Sequence, residues 1–264
     1  YAGERLVLRS GTRIRSTQIG LAASIGRDHL PTRPHPRVVV LSAGPDLVEP
    51  GQPLKNASDE YETNSWLLTT AVREVGAVAY RVHSIPDDEA QLQKVIEDQL
   101  VRADLIIISG ERNDDSFDLI SRTLAGLGAI TTVDIAIEAS GRHNFGTIGP
   151  DKTPVVTLPG DPISAYISFE LFVRPMIRTM LGAATIHRPS VKAALEKPIE
   201  SAPGMRSYIR GILADDGKSV TPLANQDEQS TLSDANAFIA ISETETALKT
   251  GDQVTVVVLE RRYI

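Results

Sequence analysis

The sequence contains no cysteine, which removes disulfides, thiolate nucleophiles and cysteine-ligated metals together. It has no apolar run of about eighteen residues, so no segment is long enough to cross a bilayer as a helix. Cations are in deficit. The 27 Lys and Arg against 34 Asp and Glu give a net charge of −7, the wrong balance for a sequence-independent grip on nucleic acid. A phosphate-loop lysine motif, a glycine-rich dinucleotide fingerprint and a nucleophile-elbow serine are all missing. The histidines, His29, His35, His83, His143 and His187, show no metal-ligand spacing and are expected in surface or packing roles. Internal repeats and low-complexity tracts are absent too. What remains is a 264-residue chain of ordinary globular composition, 41% hydrophobic and 23% charged, long enough for two domains with their own cores. A cytoplasmic protein without direct membrane insertion is the expectation.

Three regions follow from the patterning. Residues 1–36 read as the tail of a preceding linker domain, with a short helix from Thr17 to Ile25 that Gly26 ends. Pro31, Pro34 and Pro36 then form a stiff connector. Residues 37–183 alternate between strands and helices. Val38-Val39-Val40-Leu41 and Leu105-Ile106-Ile107-Ile108 are continuous apolar runs, as in strands buried on both faces. A helix is expected over Asn64–Val75 with Gly76 as its stop, and others after Asp87-Asp88, over Phe117–Leu127, and from Pro162 to Leu181 with a bend at Pro175. Strands are expected at Val78–Val82, Thr131–Ile137 and Pro154–Leu158, giving a doubly wound, mostly parallel α/β domain. In residues 184–264 the helical signal disappears. Short strands at 191–199, 207–213, 219–223, 237–241 and 253–259, separated by Pro/Gly/Asp turns, predict a small all-β barrel or sandwich.

In an open parallel sheet, ligands bind beyond the carboxyl ends of the strands, where four loops of this chain emerge. Ser42-Ala43-Gly44-Pro45-Asp46 offers a glycine and two polar groups, with a plain turn as the competing reading. Glu62-Thr63-Asn64-Ser65 opens a helix, where exposed N–H groups suit an anion; ordinary capping by Thr63 or Asn64 competes. The third loop, Ser109 to Asp118, follows the most buried strand. Its acids Glu111, Asp114, Asp115 and Asp118 suit Mg²⁺ better than bare phosphate, unless it is simply a solvated acidic loop. Leu158-Pro159-Gly160-Asp161-Pro162-Ile163-Ser164 is the most specific local signal, a rigid strand-to-helix junction capped by Asp161. Trp66 is expected in the core rather than as a stacking platform.

Taken together, these loops resemble the molybdopterin molybdotransferase family, which includes the C-terminal domain of gephyrin. The family's Ser-Thr-Gly-Asp-Glu-Leu loop reads here Ser42-Ala43-Gly44-Pro45-Asp46-Leu47. Its Asp-Ser-Asn reads Glu62-Thr63-Asn64, and its Leu-Pro-Gly-Asn-Pro-Val-Ser reads Leu158 to Ser164. The helix Phe169-Glu170-Leu171-Phe172-Val173-Arg174-Pro175 resembles the family's. So do Arg206, Tyr208, Arg210-Gly211 and Asp234-Ala235-Asn236-Ala237 in the barrel. The resemblance spans essentially the whole chain. It implies a molybdopterin-binding-like α/β domain, a C-terminal barrel and a homodimer. It also implies insertion of molybdenum from molybdate into adenylylated molybdopterin with Mg²⁺.

Carried over residue by residue, it assigns Asp46 and Asp118 to catalysis, orienting the cation or nucleotide. Ser42, Gly44, Asn64, Ser109, Gly110, Arg142, Gly160, Asp161 and Ser164 hold the cofactor and molybdate, and Asp118 with Asp115 holds the metal. The departures point to weakened or lost activity. Glu111 and Asp115 replace glycines of the family's Ser-Gly-Gly-Val-Ser-Val-Gly-Asp-Tyr-Asp loop. The Lys-Pro-Gly-Lys-Pro segment has become Ala139-Ser140-Gly141-Arg142-His143, with at most one cation left. Ala43 and Pro45 remove further polar groups. The alternative is a gephyrin-like dimeric scaffold that binds a peptide of a membrane receptor or cytoskeletal protein along a strand edge. Phe238, Ile239 and Ile241 are its candidate groove residues, with barrel core as their competing reading.

Overall fold

The two continuous apolar runs become adjacent inner strands of a six-stranded sheet. The computed structural model describes residues 6–260 except 45, 86–87, 112–113 and 139. Pro45, Asp87, Arg112, Asn113 and Ala139 therefore lie outside the described residues, as do the side chains of His83, Glu111 and Asp114. After helix α1 (Ser16–Ser24), strand β1 (Arg37–Ala43) enters the sheet, and the short strands β2 (Leu47–Val48) and β3 (Glu60–Tyr61) pair with each other. There follow α2 (Asn64–Val75), β4 (Val78–Ile85), α3 (Glu89–Leu100), β5 (Leu105–Glu111), α4 (Asp114–Leu127), β6 (Gly128–Ile135), β7 (Gly141–Ile148) and β8 (Thr153–Pro159). A helical run closes the domain: α5 (Pro162–Ser168), a π-helical turn (Phe169–Val173) and α6 (Arg174–Met180).

The sheet order is β4-β1-β5-β8-β7-β6, with β4, β1, β5 and β8 parallel and the β6–β7 hairpin antiparallel at one edge. Each inner strand is buried on both faces. Val38, Val40, Leu105 and Ile107 pack toward α2 and the α5–α6 run, while Val39, Leu41, Ile106 and Ile108 pack toward α3 and α4. That is why neither run alternates with polar residues. Helix α2 ends where Gly76 turns left-handed (φ +104°), which a glycine does at little cost. The expected bend at Pro175 takes the form of the π-helical turn just before it. Widening the helix there accommodates a ring that would otherwise meet the preceding turn.

In the barrel, β9 (Ser190–Leu195), β11 (Ser207–Leu213), β12 (Ser219–Pro222), β13 (Ala237–Ile241) and β15 (Gln253–Val258) close in the order β11-β12-β9-β15-β13. The short β10 (Ile199–Glu200) pairs with β14 (Ala247–Leu248), and a single-turn α7 (Ser230–Asp234) precedes β13. The barrel docks on the α/β domain through Ile163 and Ile167 of α5 against Phe238, flanked by Tyr208, Val257 and Leu259. A buried ion pair reinforces this seam. Arg188 donates to both Glu170 oxygens, at 2.7 and 2.8 Å, and to the Leu259 carbonyl at 2.6 Å.

Candidate functional site

All four loops line one cleft, and three of them meet at a single side chain. A cleft of about 260 Å³ opens beyond the carboxyl ends of β1, β5 and β8. Ser42 and Ala43, Glu62 to Asn64, Gly110, and Gly160 to Ile163 line it, and Asp227 and Gln229 close it from the barrel side. The knot that gathers these loops is Asn64. Its Nδ2 donates to Ser109 Oγ at 2.7 Å and to the Gly160 carbonyl at 2.8 Å, and Ser109 Oγ donates to the Pro159 carbonyl at 2.9 Å. A carbonyl can only accept, so the Asn64 amide has one possible orientation. Its Oδ1 is left buried without a hydrogen-bond partner. Gly110 seals the contact between β1 and β5. Its φ is +149°, and a Cβ there would lie 2.0 Å from the Ala43 carbonyl oxygen, so only glycine fits.

The start of α2 is held by a residue that neither Thr63 nor Asn64 replaces. Glu62 is almost fully buried and caps the helix, accepting from the Ser65 N–H at 2.7 Å and from Ser65 Oγ. Thr63 makes no cap bond and instead donates to the Tyr61 carbonyl. Arg81 neutralises Glu62 at 3.3 Å, pairs also with Glu49, and lies 4.1 Å above the Trp66 ring. Trp66 is 51% exposed, contrary to the expected core position. The guanidinium covers one face of its ring, a favourable contact that needs no burial in the sheet.

At the fourth loop, Asp161 Oδ2 accepts from the Ser164 N–H at 2.8 Å and from Ser164 Oγ at 2.7 Å, the capping arrangement expected of it. The first loop turns Asp46 outward, where it accepts from Ser58 Oγ at 3.2 Å and does not line the cleft. Gly44 packs against Leu47. Asp115 and Asp118 are exposed, three residues apart on the first turns of α4. Arg142 lies 4.0 Å over the Phe117 ring on the same helix. These three residues thus cluster at the start of α4, outside the cleft that Asn64 organises. Among the described residues no group of three or more His, Asp or Glu side chains is placed to hold a metal.

Among the described residues the charged side chains lining the cleft, Glu60, Glu62, Asp161 and Asp227, are all acidic. Counter-charge comes from Arg210 on β11, which the residue-by-residue reading placed in the barrel but not in the site. Arg210 is nearly buried, its Nε donates to Thr231 Oγ1 at 3.0 Å, and one terminal nitrogen, Nη2, is buried without a partner. Burial pulls its pKa below the ordinary value, while Asp161, Asp227 and Glu138 oppose that shift. Its backbone also sets the wall of the cleft. Gln226 Oε1 accepts from the Arg210 N–H and Gln226 Nε2 donates to the Arg210 carbonyl, both at 3.0 Å, which holds the segment carrying Asp227 and Gln229. The signal in the sequence was a lone cation inside a short apolar strand, beside Gly211.

His143 is fully buried in a packing role. Its Nδ1–H donates to the Thr157 carbonyl at 2.9 Å, so Nε2 accepts from Ser140 Oγ at 2.8 Å, and burial lowers its pKa. The candidate peptide residues are core. Phe238, Ile239 and Ile241 are 0–1% exposed, and β13 has β11 on one side and β15 on the other, so neither its side chains nor an open edge is offered to a peptide.

Comparison with known proteins places this geometry. Residues 39–179 match the sequence profile described as a probable molybdopterin binding domain, and residues 192–259 match the MoeA C-terminal region (domain IV). The chain is 32% identical over 263 residues to molybdopterin molybdenumtransferase 1 of Mycobacterium tuberculosis, covering 96% of this chain and 62% of that protein. It is 26% identical to the molybdopterin molybdenumtransferase of Haemophilus influenzae, covering 95% of this chain and 63% of the relative. The crystal structure of a molybdopterin biosynthesis MoeA protein from Pyrococcus horikosii superposes with a TM-score of 0.83 at 28% identity, covering 97% of this chain and 62% of that one. The chain thus spans a little over three fifths of the length of these relatives, and with both domains matched in order it belongs to the MoeA/gephyrin E-domain family.

Proposed function

We propose that this chain carries the molybdenum-insertion cleft of a molybdopterin molybdenumtransferase, binding adenylylated molybdopterin and molybdate and acting in the transfer of molybdenum into the pterin. The observation that carries the reading is the Asn64 knot. It draws together three loops separated by up to 96 positions in the chain and leaves a polar cleft closed by the barrel. Ser42, Gly110 and Gly160 stand in the cleft wall, where they would meet the ligand, with Gly44 in the adjoining turn. Arg210 supplies positive charge from behind the Asp227 wall, and Arg142 supplies it at the start of α4.

Mg²⁺ fits this arrangement only as a substrate-dependent ion. It is commonly held by one or two carboxylates together with substrate phosphates, and Asp115 and Asp118 are two exposed carboxylates on one helix face. When bound there it would neutralise phosphate charge. Asp46, on the rim, would orient the nucleotide through the Ser58-anchored turn.

The proposed activity is weak. Among the described residues four acids and no lysine or arginine line the cleft, so anionic substrates meet repulsion that Arg210 only partly offsets. A homodimer is part of the proposal, to be checked by sedimentation equilibrium. The test of function is formation of molybdenum cofactor by the purified chain from adenylylated molybdopterin and molybdate. Slow, molybdate-dependent formation is expected. Turnover at the level of an ordinary family member would overturn the weakened reading, and none at any substrate concentration would overturn the transferase reading.

A further inference from the structure

The cleft contains one aromatic ring with nothing to do in the fold. Tyr61 on β3 is 49% exposed and lines the cleft. Among the described residues its ring stacks on no other ring and its hydroxyl makes no hydrogen bond. Its backbone, by contrast, is pinned. The Glu60 N–H donates to the Asp46 carbonyl at 2.9 Å, the Glu62 N–H to the Val48 carbonyl at 2.8 Å, and Thr63 Oγ1 to the Tyr61 carbonyl at 3.1 Å. Trp66, equally exposed, differs because the Arg81 guanidinium already covers it. A rigidly mounted, uncovered ring forgoes the large apolar burial an aromatic side chain can gain. A planar ligand ring would supply that burial.

The rest of the cleft wall narrows the assignment. Its apolar members, Ala43, Leu47, Pro162 and Ile163, are aliphatic, and its charges are carboxylates. Among the described residues no other lining side chain offers an aromatic face. We infer that Tyr61 is the stacking platform for a planar heteroaromatic ring of the substrate, and so contributes specificity for ring-bearing ligands over free oxyanions. The inference rests on the proposed function for the presence of such a ring. Adenine and pterin share the required chemistry, and the two are separated by experiment.

The experiment is calorimetric titration of the whole chain and its Tyr61→Ala and Tyr61→Phe variants with AMP, with 6-hydroxymethylpterin and with molybdate. Base–aromatic stacking of the usual strength predicts that Tyr61→Ala weakens binding of one ring ligand by about tenfold, within a range of roughly 5- to 100-fold. Tyr61→Phe should retain that binding, and molybdate affinity should be unchanged in both. Loss confined to AMP assigns the adenine, and loss confined to the pterin assigns that ring. Equal affinity of Tyr61→Ala and wild type for both ring ligands overturns the inference, as does a parallel loss of molybdate binding. Wild-type chain that binds neither ring ligand nor molybdate overturns the proposed function itself.

Discussion

Replacing Gly110 by alanine perturbs the cleft where the end of β5 lies against the Ala43 carbonyl of β1. The added Cβ would sit 2.0 Å from the Ala43 carbonyl oxygen, against the 3.4 Å at which ordinary contact begins, so the two strand ends must separate by about 1.4 Å. The φ of +149° is also one that L residues rarely adopt. Strain of this kind costs roughly 1–3 kcal/mol, and forced overpacking typically another 1–3 kcal/mol, so a loss of about 2–5 kcal/mol is expected. Urea unfolding followed by Trp66 fluorescence reads it, because the only tryptophan lies in the same domain at the start of α2. Gly126→Ala in α4 is the control, since its Cβ would meet nothing within 4 Å and should leave stability unchanged or slightly raised. A Gly110→Ala variant within about 0.5 kcal/mol of wild type would refute the close-approach reasoning. The same displacement at the cleft rim should lower cofactor formation by about a hundredfold, the usual scale for misplacement by an ångström.

Other expectations concern the knot, the seam and pH. Asn64→Ala leaves the Gly160 carbonyl and Ser109 without their donor, and should cost about 2–3 kcal/mol in urea unfolding and abolish ligand binding. An Asn64→Ala protein of wild-type stability and affinity would show that the three loops are held by something else. Arg188→Ala leaves the buried Glu170 carboxylate with only Arg174, 3.6 Å away, and a predicted loss at the low end of about 3–5 kcal/mol; a loss below 1 kcal/mol would mean that the seam rests on Phe238 and its neighbours alone. Burial holds the His143 pKa below its ordinary value of 6.5. The unfolded chain therefore binds the extra proton first. The contribution of His143 is complete above that value and is lost as pH falls from it through the depressed folded value. Unfolding free energy should accordingly drop on acidification below about pH 6.5, with a shallower drop in His143→Gln. An identical slope in the two proteins would rule out His143 as the source.

Elements with strong periodicity or punctuation were legible. The fully apolar strands β1 and β5, helix α2 with Gly76 at its end, and the five barrel strands lie where apolar pattern and turn residues put them. Strand β7 was not legible. Its stretch Gly141 to Ile148 carries His143, Asn144 and Gly146, residues with little strand preference, and it is specified by its neighbours β6 and β8. Burial of His143 and Asn144 depends on partners distant in sequence, the Thr157 carbonyl and Thr157 Oγ1. At the site, the Leu158–Ser164 junction was readable because a helix start has local rules; the bonds of Asn64 were not, since its partners lie 45 and 96 positions away. Asp227 and Gln229 were not, because only docking of the barrel brings them to the cleft, with Arg210 behind them. Asp46, Asp115, Asp118 and Arg142 were placed by resemblance, and they stand around the cleft rather than in its wall.

Calorimetric titration of the whole chain with adenylylated molybdopterin in the presence of Mg²⁺ tests the central claim most directly. The account predicts saturable binding at one site per chain, lost in Gly110→Ala and in Asn64→Ala while both proteins remain folded by circular dichroism. No binding to the folded wild-type chain, or binding that both substitutions leave intact, would contradict the assignment of this cleft.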